Sequence, residues 1–350
     1  MSRRDHSLLR PRRFARLPAS HPPLLLVVID TEEEFEWGKG FHREKTSVEA
    51  MRGIPRFQEL FDAYGVRPTY VVDYPVATQA KGCRDLRDFQ DSGRAVIGAH
   101  LHPWVNPPFD ETPDARLSYP GNLSRELERE KLRVLTGAIE ESFGRRPTVY
   151  KAGRYGIGAN STAILEELGY EIDLSVCPGL DFRADGGPDF VSIPPEPYWF
   201  GASRPLLEIP CTAAFVGPLH RWGPPLRRLS ATAVGRALKL KGILSRSGAL
   251  DRLRVSPEGF DLEQQVRVTR ALLRRGVRVM NLTFHSPSAM PGFTDFVRDE
   301  AELARFLLSL RGYLDYFLGE AKGIAVTPHE LRDRLARAGA PGMPAPAGLS

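Results

Sequence analysis

Six consecutive apolar residues, Leu24-Leu25-Leu26-Val27-Val28-Ile29, stand between Pro23 and the acidic cluster Asp30-Thr31-Glu32-Glu33-Glu34. A short run with no polar alternation suits a strand covered on both faces, as in a parallel sheet flanked by helices. The run is too short for the apolar core of a signal peptide. It also falls well below the roughly 20 residues that span a bilayer.

Downstream, the chain alternates helical and extended patterns. Apolar residues at helical spacing over about 47–64 (Met51, Ile54, Phe57, Leu60, Phe61) stop at Gly65, and Thr69-Tyr70-Val71-Val72 reads as the next strand. The alternation continues through a short helix near 85–91, strand 95–98, a proline- and aromatic-rich loop, helix 123–143, strand 148–151, helix 161–168 and strand 171–174. From about 178 to 251 the pattern loosens, with a strand expected at 206–209 and a basic helix at 226–240, and is read as an insertion at the rim of the site. Helix 262–275, strand 277–284, helix 300–318, strand 324–326 and a last helix near 328–336 restore the alternation. Repeated strand–helix units indicate an α/β protein with a parallel sheet, open or closed. The expected organisation is a basic flexible arm over 1–22, one catalytic domain over 23–337, and a disordered Pro/Gly/Ala tail over 338–350.

The 350 residues, 42% hydrophobic and 26% charged, are those of a globular chain. The net charge of +5 arises against 43 acidic residues, so it gives no nucleic-acid footprint. Two segments are locally basic, Ser2 to Arg16 and Arg221 to Lys241. They read first as solvated surface, with peripheral contact to an anionic membrane as a weaker alternative. Cys83, Cys177 and Cys211 are odd in number, far apart and form no CxxC, which suggests neither a disulfide framework nor a thiolate metal site and points to a reducing, cytoplasmic setting.

Side chains at i and i+2 of a strand share a face, so a polar i, i+2 pair at a strand end presents two groups to one cavity. The chain does this with Asp30 and Glu32, with His100 and His102, and with Asp173 and Ser175. Arg154 and His285 follow two further strands, while Glu33, Glu34 and Glu36 read as solvated charges. The carboxyl ends of parallel-barrel strands form the active face. Two imidazoles and a carboxylate without thiolate make a three-ligand set of the catalytic zinc type, which leaves one position for water. With a second carboxylate as base and a remote histidine as acid, that set is sufficient for amide or ester hydrolysis.

These segments resemble, in order, the five motifs of the NodB-homology polysaccharide deacetylases, carbohydrate esterase family four. The likeness is greatest to the WalW-type branch associated with bacterial surface-polysaccharide (lipopolysaccharide) gene clusters, and it covers roughly residues 24–335. The resemblance implies a distorted, seven-strand-like parallel (β/α) barrel and removal of N- or O-acetyl groups from a surface polysaccharide or its precursor. It implies Asp30 as catalytic base, Glu32, His100 and His102 as ligands of a divalent metal, most simply Zn2+, and His285 as general acid. Arg154 would pair with and orient Asp30, and Asp173 would tune the catalytic imidazole.

Two departures from the family pattern stand out. The first-motif acids are separated by Thr31, and the histidines are two apart rather than four, with Trp104 at the usual second-ligand position. His102 therefore either reaches the metal from an extended segment, the expected reading, or lines the substrate groove. Trp104, Tyr155, Tyr198 and Trp199 are candidates for stacking on sugar rings. The rival functions are an amidase on a non-sugar C–N bond, a glycosidase using Asp30 and Glu32, and an inactive polysaccharide-binding scaffold.

Overall fold

A computed structural model describes residues 13–35 and 40–339. Its strands are β1 (Arg13–Phe14), β2 (Leu24–Thr31), β3 (Thr69–Val72), β4 (Val96–Leu101), β5 (Val149–Ala152) and β6 (Ile172–Asp173). They are followed by β7 (Tyr198–Phe200), β8 (Leu206–Glu208), β9 (Ala213–Val216), β10 (Asp251–Arg254), β11 (Val279–His285) and β12 (Ile324–Ala325). Ten form one curled sheet in the order β1-β7-β8-β6-β5-β4-β3-β2-β11, with β12 also on β2. The pairings from β8 round to β11 and that of β12 are parallel, and only the pairings of β7 with β8 and with β1, at one edge, are antiparallel. The hairpin β9–β10 bridges the open side, where Thr212 donates to Asn281 O (3.4 Å) and Thr283 to Val255 O (3.3 Å). The result is the expected distorted parallel (β/α) barrel, a curled half-barrel closed by irregular backbone bonds.

Both faces of β2 are buried, as its unbroken apolar run requires. Leu25, Val27 and Ile29 pack outward against helices Ile54–Ala63, Ala80–Asp91, Arg125–Phe143 and Leu262–Arg274. Leu24, Leu26 and Val28 point inward and meet Val71, Val149, Ile172, Leu207 and Val279, with Leu331 and Leu335 of helix Pro328–Gly339 closing the floor. Each such residue stabilises the fold by roughly 1.5–3 kcal/mol. The inward face of β2 continues beyond this plug as Asp30 and Glu32, so the period-two alternation that builds the core also aims the acids into the upper barrel.

The insertion and the N-terminal arm differ from the sequence expectation. The helix expected over 226–240 is broken into Gly223–Ser230, Ala233–Ala237 and Leu240–Arg246. Thr232 caps the second piece by accepting from Gly235 N, and Lys239 turns the chain with φ of 50°. The hairpin β9–β10 has no pattern signal of its own. The N-terminal arm is packed from Arg13 onward, because β1 pairs with β7 and Ala15 and Leu17 are buried. The first twelve residues, Glu36 and the tail from 340 lie outside the described residues. Among the described residues no helix is long and apolar enough to cross a membrane.

Candidate metal and catalytic site

Asp30, Glu32, His100, His102 and His285 converge at the carboxyl end of the barrel and, with Arg154 and Tyr155, line one cavity of about 670 Å³. Register explains the convergence. His285 lies beside Asp30 across the β11–β2 pairing, and His100 lies beside Lys151 across β4–β5. Ala99 and Leu101 face the helices, which leaves His100 and His102 pointing inward despite their unusual spacing.

The two histidines present their Nε2 atoms to one carboxylate oxygen, with Glu32 Oε2 at 3.3 Å from His100 Nε2 and 3.4 Å from His102 Nε2. Two ligand atoms each about 2.0–2.1 Å from a tetrahedral ion lie about 3.3 Å apart, so the donor set fits a zinc-sized cation. These donors group within 4.8 Å of one another. Each far ring nitrogen is tethered: His100 Nδ1 donates to Lys151 O (3.0 Å) and His102 Nδ1 to Glu33 Oε2 (2.8 Å). Partners that only accept at Nδ1 leave the Nε2 lone pairs free for a metal. Burial lowers the His102 pKa and so disfavours its cation. Burial also works against the Glu32 carboxylate, but His285, His100 and His102 together hold its pKa below the usual range.

Glu33, expected to be solvated, is fully buried. Its Oε1 accepts from Trp104 Nε1 (2.8 Å), its backbone N donates to Asp73 Oδ2 (2.8 Å), and burial pushes its pKa up to about 7. Trp104 is therefore the prop behind His102, stacked on that ring at 4.2 Å and buried, rather than a platform facing a ligand. Gly153 completes the mount, since a Cβ there would overlap the Leu101 carbonyl oxygen and the His102 ring.

Asp30 accepts two bonds from Lys151 Nζ, at 2.5 and 2.7 Å, and Lys151 also donates to Thr283 Oγ1 (3.2 Å). Burial would raise the Asp30 pKa, but Lys151, His100 and His285 overcome it and hold it at about 2. His285 Nε2 stands 3.6 Å from Asp30 Oδ2. Its Nδ1 donates to Glu258 Oε2 (2.6 Å), and its backbone N and Ser288 Oγ donate to Glu258 Oε1. Burial opposes the imidazolium, yet Glu258, Glu32 and Asp30 push the His285 pKa up to about 9.

Two expected contacts are made by other residues. Arg154 lines the cavity, but its guanidinium binds Asp185 (2.6 Å), Ser118 (2.5 Å) and Ala115 O (3.0 Å), and Lys151 takes the contact to Asp30. Arg154 and Tyr155 follow the strand in the left-handed region, with φ of 54° and 59°, which swings the arginine to the rim. Non-glycine residues there cost about 1–3 kcal/mol each, offset here by the arginine's bonds and by Arg254 Nη1 donating to Tyr155 Oη (2.9 Å). Asp173 lies outside the cavity. Its neighbours Ile172 and Leu174 take the inward face, so its carboxyl accepts from Ser175 Oγ (2.5 Å) on the other side and packs beside Glu208. The position expected of Asp173, against the catalytic imidazole, is held by Glu258.

Lys151 was foreshadowed by a cation inside an apolar strand, whereas Glu258, in the loop after β10, carries no periodic signal. Tyr155 lines the cavity, while Tyr198 and Trp199 are buried on β7 at the sheet edge.

No protein-family model matches the chain, and no curated protein matches it by sequence. Solved structures match its fold. A Mycobacterium smegmatis protein provisionally assigned as a polysaccharide deacetylase aligns over 97% of this chain and 100% of its own, at 16% identity and a TM-score of 0.56. The Puue allantoinase aligns over 93% and 96%, at 17% identity and 0.54. A Pseudomonas aeruginosa PAO1 protein, also provisionally assigned as a polysaccharide deacetylase, aligns over 90% and 91%, at 17% identity and 0.52. The chain thus has the curled (β/α)-barrel fold of these solved structures.

Proposed function

We propose that this chain is a metal-dependent hydrolase that removes an acetyl group from the nitrogen or oxygen of a sugar, in a bacterial surface polysaccharide or its precursor, acting in the cytoplasm. The observation that carries the reading is the meeting of two Nδ1-tethered histidines on one Glu32 oxygen, beside an ionised Asp30 and a cationic His285. A divalent cation, zinc by donor type, would be held by Glu32, His100 and His102, and would supply a polarised acyl oxygen and a water of lowered pKa.

The chain's own groups do the proton work. Asp30, kept ionised by Lys151, takes a proton from the attacking water as the water oxygen bonds to the acyl carbon. His285, kept cationic by Glu258, gives its Nε2 proton to the departing amine or alcohol as the C–N or C–O bond breaks, leaving acetate. Arg154, bound to Asp185, is a wall of the cleft in this reading, and Asp173 is structural. Arg254 donates to Tyr155 Oη and Ser256 Oγ, and its buried Nε has no partner among the described residues. That leaves its guanidinium available to a substrate oxygen.

Acetate release from N- and O-acetylated sugars tests the reading. Activity lost on chelation, restored by zinc, and absent in His100→Ala and in Asp30→Asn, each assayed below its own unfolding transition so that the protein remains folded, is expected. Equal acetate from wild type and Asp30→Asn would contradict it. A second reading, hydrolysis of a non-sugar amide, is favoured by the fold shared with the Puue allantoinase. Turnover of small amides in the absence of acetate release would select it.

A further inference from the structure

The insertion leaves more large apolar side chains in solvent than any other part of the described residues. Of the eleven large hydrophobic residues that are exposed, six fall between 219 and 243: Leu219, Trp222, Leu229, Val234, Leu238 and Ile243. Trp222, Val234, Leu238 and Ile243 are 64, 65, 62 and 57% exposed. Isolated exposed leucines need no explanation, but a concentration of them along three consecutive short helices and the turns that flank them does.

Charge in the same segment is one-sided. The stretch 209–250 contains no Asp or Glu, in a chain with 43 acidic residues, yet it holds Arg221, Arg227, Arg228, Arg236, Lys239, Lys241 and Arg246. Only Arg228 has a carboxylate within ion-pair distance among the described residues, Asp189 at 3.6 Å. The helices are anchored from beneath, where Leu226, Leu244 and Leu250 face Phe215 of the hairpin β9–β10. Arg227 and Lys241 border the cleft beneath the helices, while the exposed cations Arg221, Lys239 and Arg246 stand in sequence among the bare apolar residues, and no helix here is able to span a bilayer. That is the composition of a surface that lies in a lipid headgroup layer.

We propose that the three helices Gly223–Ser230, Ala233–Ala237 and Leu240–Arg246 dock this protein on a membrane rich in anionic lipid. Trp222, Val234, Leu238 and Ile243 enter the headgroup boundary while the arginines and lysines bind lipid phosphate. An acidic protein would answer the charge but leave the apolar residues in water, and a second copy would bring like charges together. The proposal stands independently of the hydrolase reading, since it concerns a face built on the hairpin rather than the cavity.

Co-sedimentation of the full chain with vesicles of phosphatidylcholine, with and without about 30% phosphatidylglycerol, tests it. Two surface variants accompany the wild type: Trp222→Ser/Val234→Ser/Leu238→Ser/Ile243→Ser and Arg221→Ser/Lys239→Ser/Lys241→Ser/Arg246→Ser, each checked for unchanged melting. Partition is expected to rise at least ~10-fold with the anionic lipid and to fall at least ~10-fold in either variant. Equal partition to both vesicles, or full binding retained by either variant, overturns the proposal. So does concentration-dependent dimerisation abolished by the apolar variant in a protein that ignores vesicles, which would assign the face to a second copy.

Discussion

A carboxylate and an ammonium sealed together at the centre of a barrel are costly to separate. Asp30 is 3% and Lys151 1% exposed, with Nζ bonded to both carboxylate oxygens. Removing one partner strands the other, at about 3–5 kcal/mol. Lys151→Met and Asp30→Asn should each lower the denaturant midpoint accordingly, and the double variant should recover most of the loss, because no unpaired charge remains. Additive losses would show that the pair is not coupled.

Glu258 should also show itself in the rate. His285 is held cationic up to about pH 9, chiefly by Glu258 against the opposing effect of burial, and the proposed leaving-group step needs the cation. Activity should therefore fall as pH rises through about 9. Glu258→Gln should move that alkaline limb toward the ordinary histidine range, measured as kcat against pH. An unmoved limb would assign it to another group. At this scale the strand-end pairs Asp30/Glu32 and His100/His102 were legible, because period-two geometry is local. Asp173 stands one position out of phase with the inward face held by Ile172 and Leu174, and a single position reverses a side chain's face. Glu258 was invisible because a loop residue reaches His285 through tertiary folding alone.

Elements carry their own pH signature. Glu128, on the buried side of helix Arg125–Phe143, accepts from Ser161 Oγ on helix Ser161–Leu168, and burial pushes its pKa up to about 8. A folded pKa above the unfolded value of about 4.5 means that the native state keeps a proton the unfolded chain gives up. Its stabilising effect is complete below about pH 4.5 and declines until about pH 8. Glu128→Gln, which cannot ionise, should match the wild type near pH 4.5 and exceed it at pH 8 by about 4 kcal/mol in thermal or denaturant unfolding. A pH-independent difference would place the Glu128 carboxyl in water.

Strands and long helices were readable because apolar periodicity and caps are local signals, as with Thr69–Val72 and Ser161–Leu168. The insertion was not. Its helices break at Thr232 and Lys239, where turn chemistry outweighs a weak helical pattern.

For the whole molecule, curling of the sheet is what turns dispersed pairs into one site. β2, β4 and β11 lie far apart in sequence, and the pairings β2–β3–β4 and β2–β11 carry their carboxyl ends to one rim. The hairpin β9–β10 then closes the side from which Glu258 approaches and carries the basic, apolar helices outward. Central to this account is a divalent cation held where Glu32 meets the two histidines. The most direct measurement is anomalous diffraction at the zinc absorption edge from crystals grown with zinc. The account predicts one strong peak bounded by the Glu32 carboxylate and the Nε2 atoms of His100 and His102. A peak in the other acidic group, Glu33, Asp73 and His102, or none beside Glu32, would contradict it.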